Sequence, residues 1–271
     1  MSFEEPDFDL LVRKILRERG FDCRQYRESY LKRRFGVRMR AWKITTFTDY
    51  VNVLDRHPEE YIKLFDDITI NVTQFFRDTT AYDAFDKTVL PVVLEEKKKT
   101  QSNILRIWSC GCSSGEEPYS IALCLIDRLG LKIGNYSITI FGSDIDDLSL
   151  NRGRAGVYGT ASLENAPPEI LAKYFVQDGN KFKIKDEIKT LVKFIKHDFI
   201  REEPFKNLDI VFCRNVMIYL TKEMQTRLLV NFYKSLNPKG FLVLGKVEGL
   251  MSTNEGLFER YNITERIFRK G

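Results

Sequence analysis

The sequence predicts an α/β protein in which an all-α N-terminal domain precedes a doubly wound, mostly parallel sheet carrying a small inserted antiparallel β-subdomain. Three observations predict it. Apolar residues recur at helical spacing, with no convincing strand, up to about residue 85. From Ile104 onward short apolar runs alternate with amphipathic stretches, the pattern of a parallel sheet with crossover helices. Between Arg152 and Lys196 that alternation breaks into short pieces around a polar turn.

The elements follow in order. Phe8, Leu11, Val12, Ile15 and Leu16 make one helical stripe, closed by Gly20. Tyr30, Leu31, Phe35, Met39 and Trp42 make a second, and Lys32, Arg33, Arg34, Arg38 and Arg40 fill much of the rest of that helix. A third helix is expected from Thr45 or Thr48 to about Asp55. A fourth starts near Pro58, tolerated in a first turn, and runs through Tyr61, Leu64 and Phe65. Residues 1–85 therefore read as one domain and 86–271 as another, with the insertion at about 153–196. In the second domain Ile104–Trp108 is a strand and 116–129 a helix. Ser137–Ser143 and Leu208–Cys213 are further strands, and a helix spans about Lys222 to Leu236. Asn237–Gly240 turns into the strand Phe241–Gly245, and Ile263–Phe268 reads as the last strand. Within the insertion, Phe182–Lys185 and Leu191–Ile195 look antiparallel, around Asp186-Glu187.

Composition excludes several classes. No apolar run approaches the roughly 20 residues that span a bilayer, and the acidic start has no basic and apolar leader, so a cytoplasmic chain without membrane insertion is expected. Five scattered cysteines with no CxxC pair argue against a disulfide framework. His57 and His197 are too few and too distant to complete a zinc site with Cys110 and Cys112, so no metal is expected. The net charge of +5 is uneven: Arg24 to Lys43 holds eight Lys/Arg and one acid, Glu28. Such a face points to an acidic partner or a phosphate backbone. No zinc-finger, ribonucleoprotein or recognition-helix signature accompanies it, which disfavours nucleic acid.

The stretch Arg106–Leu125, RIWSCGCSSGEEPYSIALCL, carries the chemistry. A strand, a glycine turn and a helix present a nucleotide at the carboxyl edge of an open sheet. No Lys-Ser/Thr pair follows, which removes the P-loop, and Ser109 and Ser113 break the dinucleotide pattern, leaving Gly111-x-x-x-Gly115. Glu116 and Glu117 occupy the helix start where a pyrophosphate would need positive charge. A cationic ligand without phosphate fits better, and S-adenosylmethionine is one. Asp144 ends the second strand where an acid accepts ribose hydroxyls. Glu117 also suits a capping box with Ser114, and one carboxylate could serve both purposes.

Gly115-Glu-Glu-Pro-Tyr-Ser120, Ser143-Asp-Ile-Asp146, Cys213-Arg-Asn-Val-Met-Ile-Tyr219 and Ile70-Asn-Val-Thr-Gln-Phe-Phe-Arg77 together resemble the CheR-type chemotaxis receptor methyltransferases, protein-glutamate O-methyltransferases. The resemblance runs from about Phe8 to Lys270. It implies a class I methyltransferase-like α/β domain, the helical domain before it and the β insertion. It also implies transfer of a methyl group from S-adenosylmethionine to receptor glutamates, leaving S-adenosylhomocysteine. By matched motif, cofactor contacts fall on Asn71, Thr73, Arg77, Glu117, Asp144, Asp198, Phe199, Arg214 and Asn215. Arg77 and Tyr219 are the groups implied nearest the transferred methyl. The basic helix, with Arg27, Arg33, Arg34 and Arg38, is implied to engage the acidic helical bundle of methyl-accepting receptors.

The chain departs from the family in places. Cys110-Gly-Cys-Ser replaces an alanine-rich loop, Asp198 replaces the more usual Asn, and Gly245-Lys-Val-Glu248 replaces G-x-S-E. Between Tyr174-Phe175 and Phe182 the insertion is shorter than in relatives that grip a receptor's C-terminal pentapeptide, which suggests independence of that pentapeptide. A carboxylate nucleophile needs no histidine base and no covalent intermediate. A non-catalytic module that kept the fold is the competing class, against which Arg77, Asp144 and Tyr219 stand intact; a nucleic-acid methyltransferase is a third.

Overall fold

The structure is a computed structural model and describes residues 6–69, 72–251 and 256–271. Its contacts divide the chain into two compact units, one reaching to Asn71 and including Tyr219–Gln225, the other comprising Val72–Ile218 and Thr226–Gly271. The division thus falls at 71/72, earlier than the expected 85. The helices that start at Thr79 pack their apolar residues Tyr82, Phe85, Val89, Leu90 and Val93 into the sheet unit's core.

The helical unit holds α1 (Pro6–Arg19), α2 (Glu28–Ala41), α3 (Phe47–Arg56) and α4 (Glu60–Ile68). Phe8, Leu11, Val12 and Ile15 of α1 are buried as their spacing requires, and Gly20 closes the helix with φ 69° and its N–H on Leu16 O. Thr46, between the two expected starts, caps α3: its Oγ1 accepts from Asp49 N at 3.1 Å. Pro58 lies two residues before α4, whose N-cap is Glu59. Two ion clusters hold the unit, one around the buried Lys14 and one around the buried Glu60. Lys14 donates to Glu18 and Asp55, and Tyr61 donates to Glu18. Arg38 Nε and Nη2 donate to Glu60 at 2.7 and 3.0 Å, while Tyr50 donates to the same carboxylate. The segment Tyr219–Thr221 belongs here. Tyr219 O accepts from Arg27 N, Leu220 O from Arg27 Nε, and Thr221 N donates to Gln25 O.

In the sheet unit α5 (Thr79–Ala84) runs through a π turn at 85–89 into α6 (Leu90–Lys99). Pro91 lies just beyond that π turn; it has no N–H to give the helix ladder, and the Leu90 N–H bonds Phe85 O five residues back. The remaining helices are α7 (Glu116–Leu129), α8 (Asp147–Ala155), α9 (Pro168–Tyr174), α10 (Asp186–Lys189) and α11 (Lys222–Ser235). The strands are β1 (Ile104–Cys110), β2 (Ser137–Asp144), β3 (Val157–Gly159), β4 (Phe175–Asp178), β5 (Lys181–Ile184), β6 (Val192–Lys196), β7 (Leu208–Cys213), β8 (Leu236–Leu244), β9 (Phe258–Asn262) and β10 (Ile267–Lys270). Seven form one sheet in the order β6-β2-β1-β7-β8-β10-β9, parallel through the first five and antiparallel at β10 and β9. The expected fold class is what is observed. Among the described residues no helix is long and apolar enough to cross a membrane.

Three expectations are corrected. Leu191–Ile195 is not part of the insertion; β6 pairs in parallel with β2, Ile140 opposite Val192, at the edge of the main sheet. Its exposed lysines mimic a hairpin strand. The insertion's own sheet has the order β3-β5-β4, with β4 and β5 joined at Gly179-Asn180. Ile263–Phe268 is a turn and the first residues of β10, the preceding strand being β9. Asn237–Gly240 is a bulge within β8: the pairing jumps from Leu208–Leu236 to Ile210–Phe241, and Lys239 adopts φ 63°.

Candidate cofactor-binding site

Strand order reverses at β1, whose neighbours are β2 on one side and β7 on the other, the switch point beyond whose carboxyl ends open α/β sheets bind their ligands. The chain turns there at Gly111. Its φ is 73°, and a Cβ would lie 2.7 Å from Val216 Cγ2, so only glycine fits there. Gly111 N and Cys112 N both donate to Ser143 O, which ties the bend to β2.

Two carboxylates wall the bend. Asp144, 8 % exposed, accepts Ser113 N at 2.8 Å on Oδ2 and Asp146 N at 3.0 Å on Oδ1. Each oxygen keeps a further lone pair for a ribose hydroxyl. Burial raises its pKa, against the two backbone N–H groups. Glu117 accepts from Ser109 Oγ at 2.8 Å and lies 3.9 Å from Arg214 Nη1. Burial raises its pKa too, with Arg214 opposing. The capping box with Ser114 is not formed. Gly115, at φ 93°, is the N-cap, which leaves Ser114 one residue early, and its hydroxyl donates to Glu116 at 2.8 Å instead. Glu116 is 2 % exposed with no cation beside it, and burial pushes its pKa up to about 7.

Opposite the acids stands the segment 72–78. Phe76 N donates to Ser120 Oγ on α7, and Phe75 N to Ser162 O. Arg77 is half-buried, its Nη1 on Val72 O at 2.7 Å. Thr73 is half-buried on the same segment. Asn71 lies outside the described residues. Arg214 reaches this segment from the end of β7, donating to Arg77 O and Asp78. Asn215, φ 61°, begins a loop held by Glu248, whose carboxylate accepts the N–H groups of Asn215, Val216, Met217 and Gly245 at 2.7–3.0 Å. Asp198 Oδ1 accepts Ile200 N and Arg201 N and so closes the turn after β6, with Phe199 half-buried beside it.

The structure brings Arg77, Glu117 and Arg214 together, with Asp144 and Asn215 on the adjoining loops. Tyr219 packs in the helical unit, 4.6 Å from Tyr30 between ring centroids. On α2, Arg33 is exposed, Arg34 is half-buried, and both lie over the Tyr30 ring; Arg27 is exposed but bonded to Leu220 O. Arg38 is the exception in the basic set, because its guanidinium is committed to Glu60. Sequence reasoning named Glu248 only within the departure from G-x-S-E and Ser109 only within the glycine pattern, without the contacts they make, and it missed Asp78.

The fit to an adenosyl ligand rests on two features. The carboxylates of Asp144 and Glu117 at the bend complement a cation, and the buried Ser113 hydroxyl has no hydrogen-bond partner. The cysteine alternative does not fit a metal: Cys110, Cys112 and Cys213 are buried free thiols whose pKa values burial helps raise, and no cluster that could hold a metal occurs among the described residues.

Fold and site thus define an α/β domain of the methyltransferase kind, with Asp144 and Glu117 flanking the glycine bend beyond β1. Residues 71–267 match the family described as CheR methyltransferase, SAM binding domain, and residues 6–69 match CheR methyltransferase, all-alpha domain. A chemotaxis protein methyltransferase of Listeria monocytogenes is 32 % identical, covering 92 % of this chain and 92 % of the relative. That of Borreliella burgdorferi is 30 % identical over 92 % and 89 %, and that of Vibrio parahaemolyticus 34 % over 84 % and 82 %. The chain belongs to the CheR methyltransferase family and is an S-adenosylmethionine-dependent methyltransferase.

Proposed function

We propose that the protein methylates glutamate side chains on the cytoplasmic helices of chemotaxis receptors, giving methyl esters and S-adenosylhomocysteine, and that it works in the cytoplasm. The observation that carries this is the presence of both family domains, in order, on one chain whose relatives are chemotaxis protein methyltransferases over most of their length.

Asp144 and the Ser113 region would hold the ribose and Glu117 the cationic amino acid end, and by family motif Asn71, Thr73, Asp198, Phe199 and Asn215 would supply the remaining contacts. Bound there, S-adenosylmethionine supplies an electrophilic methyl on a sulfonium. The incoming glutamate is already ionised at neutral pH, so the protein needs to supply position rather than a base. Arg77 has guanidinium donors beyond the one on Val72 and orients the carboxylate. Its grip has to stay moderate, because the negative charge disappears as the ester forms. Tyr219 is the second near-methyl group, on the family motif. Arg33 and Arg34, with Arg27, engage the acidic receptor bundle, whereas Arg38 acts as a structural pair with Glu60. The short β4–β5 hairpin supports independence of a receptor C-terminal pentapeptide.

Radiolabelled S-adenosylmethionine with receptor cytoplasmic fragments, with and without their C-terminal tails, tests this. Base-labile label on both fragments is expected. Base-stable label would contradict a carboxyl ester, and label confined to the tailed fragment would contradict pentapeptide independence.

A further inference from the structure

Arg214 is matched by family motif to the cofactor, yet its side chain, 2 % exposed, is directed elsewhere. Nη1 donates to Arg77 O at 2.9 Å and Nη2 to Asp78 Oδ2 at 2.8 Å. The guanidinium carbon lies 5.4 Å from the centroid of Tyr82, and Nε is buried without a partner. The turn it holds is strained: Phe76 and Asp78, flanking Arg77, have φ of 53° and 59°. Non-glycine residues adopt that region rarely and keep it only where surrounding contacts enforce it. The same guanidinium stands 3.9 Å from Glu117.

We infer that Arg214 is a positioning residue: its planar fork clamps the Phe76–Asp78 turn, aims the Arg77 side chain at the incoming carboxylate, and lends its charge to Glu117 without touching either reactant. The inference rests on the role given to Arg77 above. A lysine at 214 keeps the charge facing Glu117 but cannot span Arg77 O and Asp78 together. The two tasks of Arg214 are therefore separable by experiment.

The test uses the full chain with Arg214→Lys, Asp78→Asn and the double variant, measuring steady-state receptor methylation and calorimetric S-adenosylhomocysteine binding. Arg214→Lys is expected to lose about tenfold or more in kcat through misplacement of Arg77. Its S-adenosylhomocysteine affinity and its KM for S-adenosylmethionine should move less than about threefold. Asp78→Asn should show the same pattern more weakly, and the double variant should be no worse than Arg214→Lys alone. Should Arg214→Lys fail to fold, Asp78→Asn carries the same split. An unchanged kcat with lost cofactor affinity would make Arg214 a cofactor ligand and overturn the inference. A lowered melting temperature with wild-type kinetics would overturn it by making the clamp purely structural. A wild-type chain that binds no S-adenosylhomocysteine, or that yields base-stable label, would instead overturn the proposed function itself, and the clamp's purpose with it.

Discussion

The acids of the helical unit and those around the glycine bend of the sheet unit are treated in opposite ways. In the helical unit Glu18 and the buried Glu60 each meet a cation. Hydrogen bonds from Lys14 and Tyr61 pull Glu18 down to about 2, and at Glu60 burial is outweighed by the Arg38 fork with Trp42 and Tyr50. In the sheet unit Glu116, Glu117 and Asp144 are left under-compensated, and burial raises all three. Ser113 Oγ and Arg214 Nε are buried there without partners. In the first pattern the acids are neutralised within the protein, although Arg34 Nε is left without a partner there too. The second is the pattern expected where a ligand completes the polar groups, since perturbed acids concentrate at such sites.

The largest effect should come from breaking the neutralised side. Arg38→Ala leaves Glu60, 1 % exposed, without its counter-ion, and denaturant unfolding should report a loss of about 3–5 kcal/mol. Unchanged stability with impaired receptor methylation would return Arg38 to the receptor-facing set.

Glu116 tests the other side. Its folded pKa of about 7 lies above its ordinary 4.5, so the folded state holds the proton longer. Its contribution is full below about pH 4.5, falls as pH rises toward 7, and then levels off, a swing of about 3 kcal/mol. Glu116→Gln should remove that slope and be the more stable protein at pH 8, by chemical denaturation across pH. Glu18 has the opposite sign, its contribution being present at neutral pH and lost as pH falls toward 2. Parallel slopes for Glu18→Gln and Glu116→Gln would erase the contrast.

Asp144→Ala should weaken S-adenosylhomocysteine by about 1.5–3 kcal/mol through the loss of charge-assisted hydrogen bonds. Unchanged calorimetric affinity would remove Asp144 from the ribose site. The smallest effect is expected from Arg33→Glu, an exposed cation worth about 1 kcal/mol or less at a contact. Receptor methylation should fall a few-fold at low salt while cofactor binding stays unchanged.

Much of this was legible from local pattern. The helical stripes, β1, β2 and β7, and the acids of the glycine bend all depend on neighbours within a few residues. What failed was non-local. That Lys193-rich β6 pairs with β2 rather than within the insertion depends on a contact spanning about fifty residues. That Glu248 gathers four N–H groups from Asn215 to Gly245 depends on two strand ends meeting. The commitment of Arg38 to Glu60 was hidden because α2 and α4 carry their charges twenty-two residues apart. Asn71, Thr73, Asp198 and Phe199 were reached through the family motif and not through spacing.

The most direct test of the proposed adenosyl site at the glycine bend is calorimetric titration of the full chain with S-adenosylhomocysteine and, separately, with a dinucleotide pyrophosphate. One site for the adenosyl compound, weakened by Asp144→Ala, and no heat with the pyrophosphate is the predicted result. Binding of the pyrophosphate in preference, or adenosyl binding indifferent to Asp144, would contradict it.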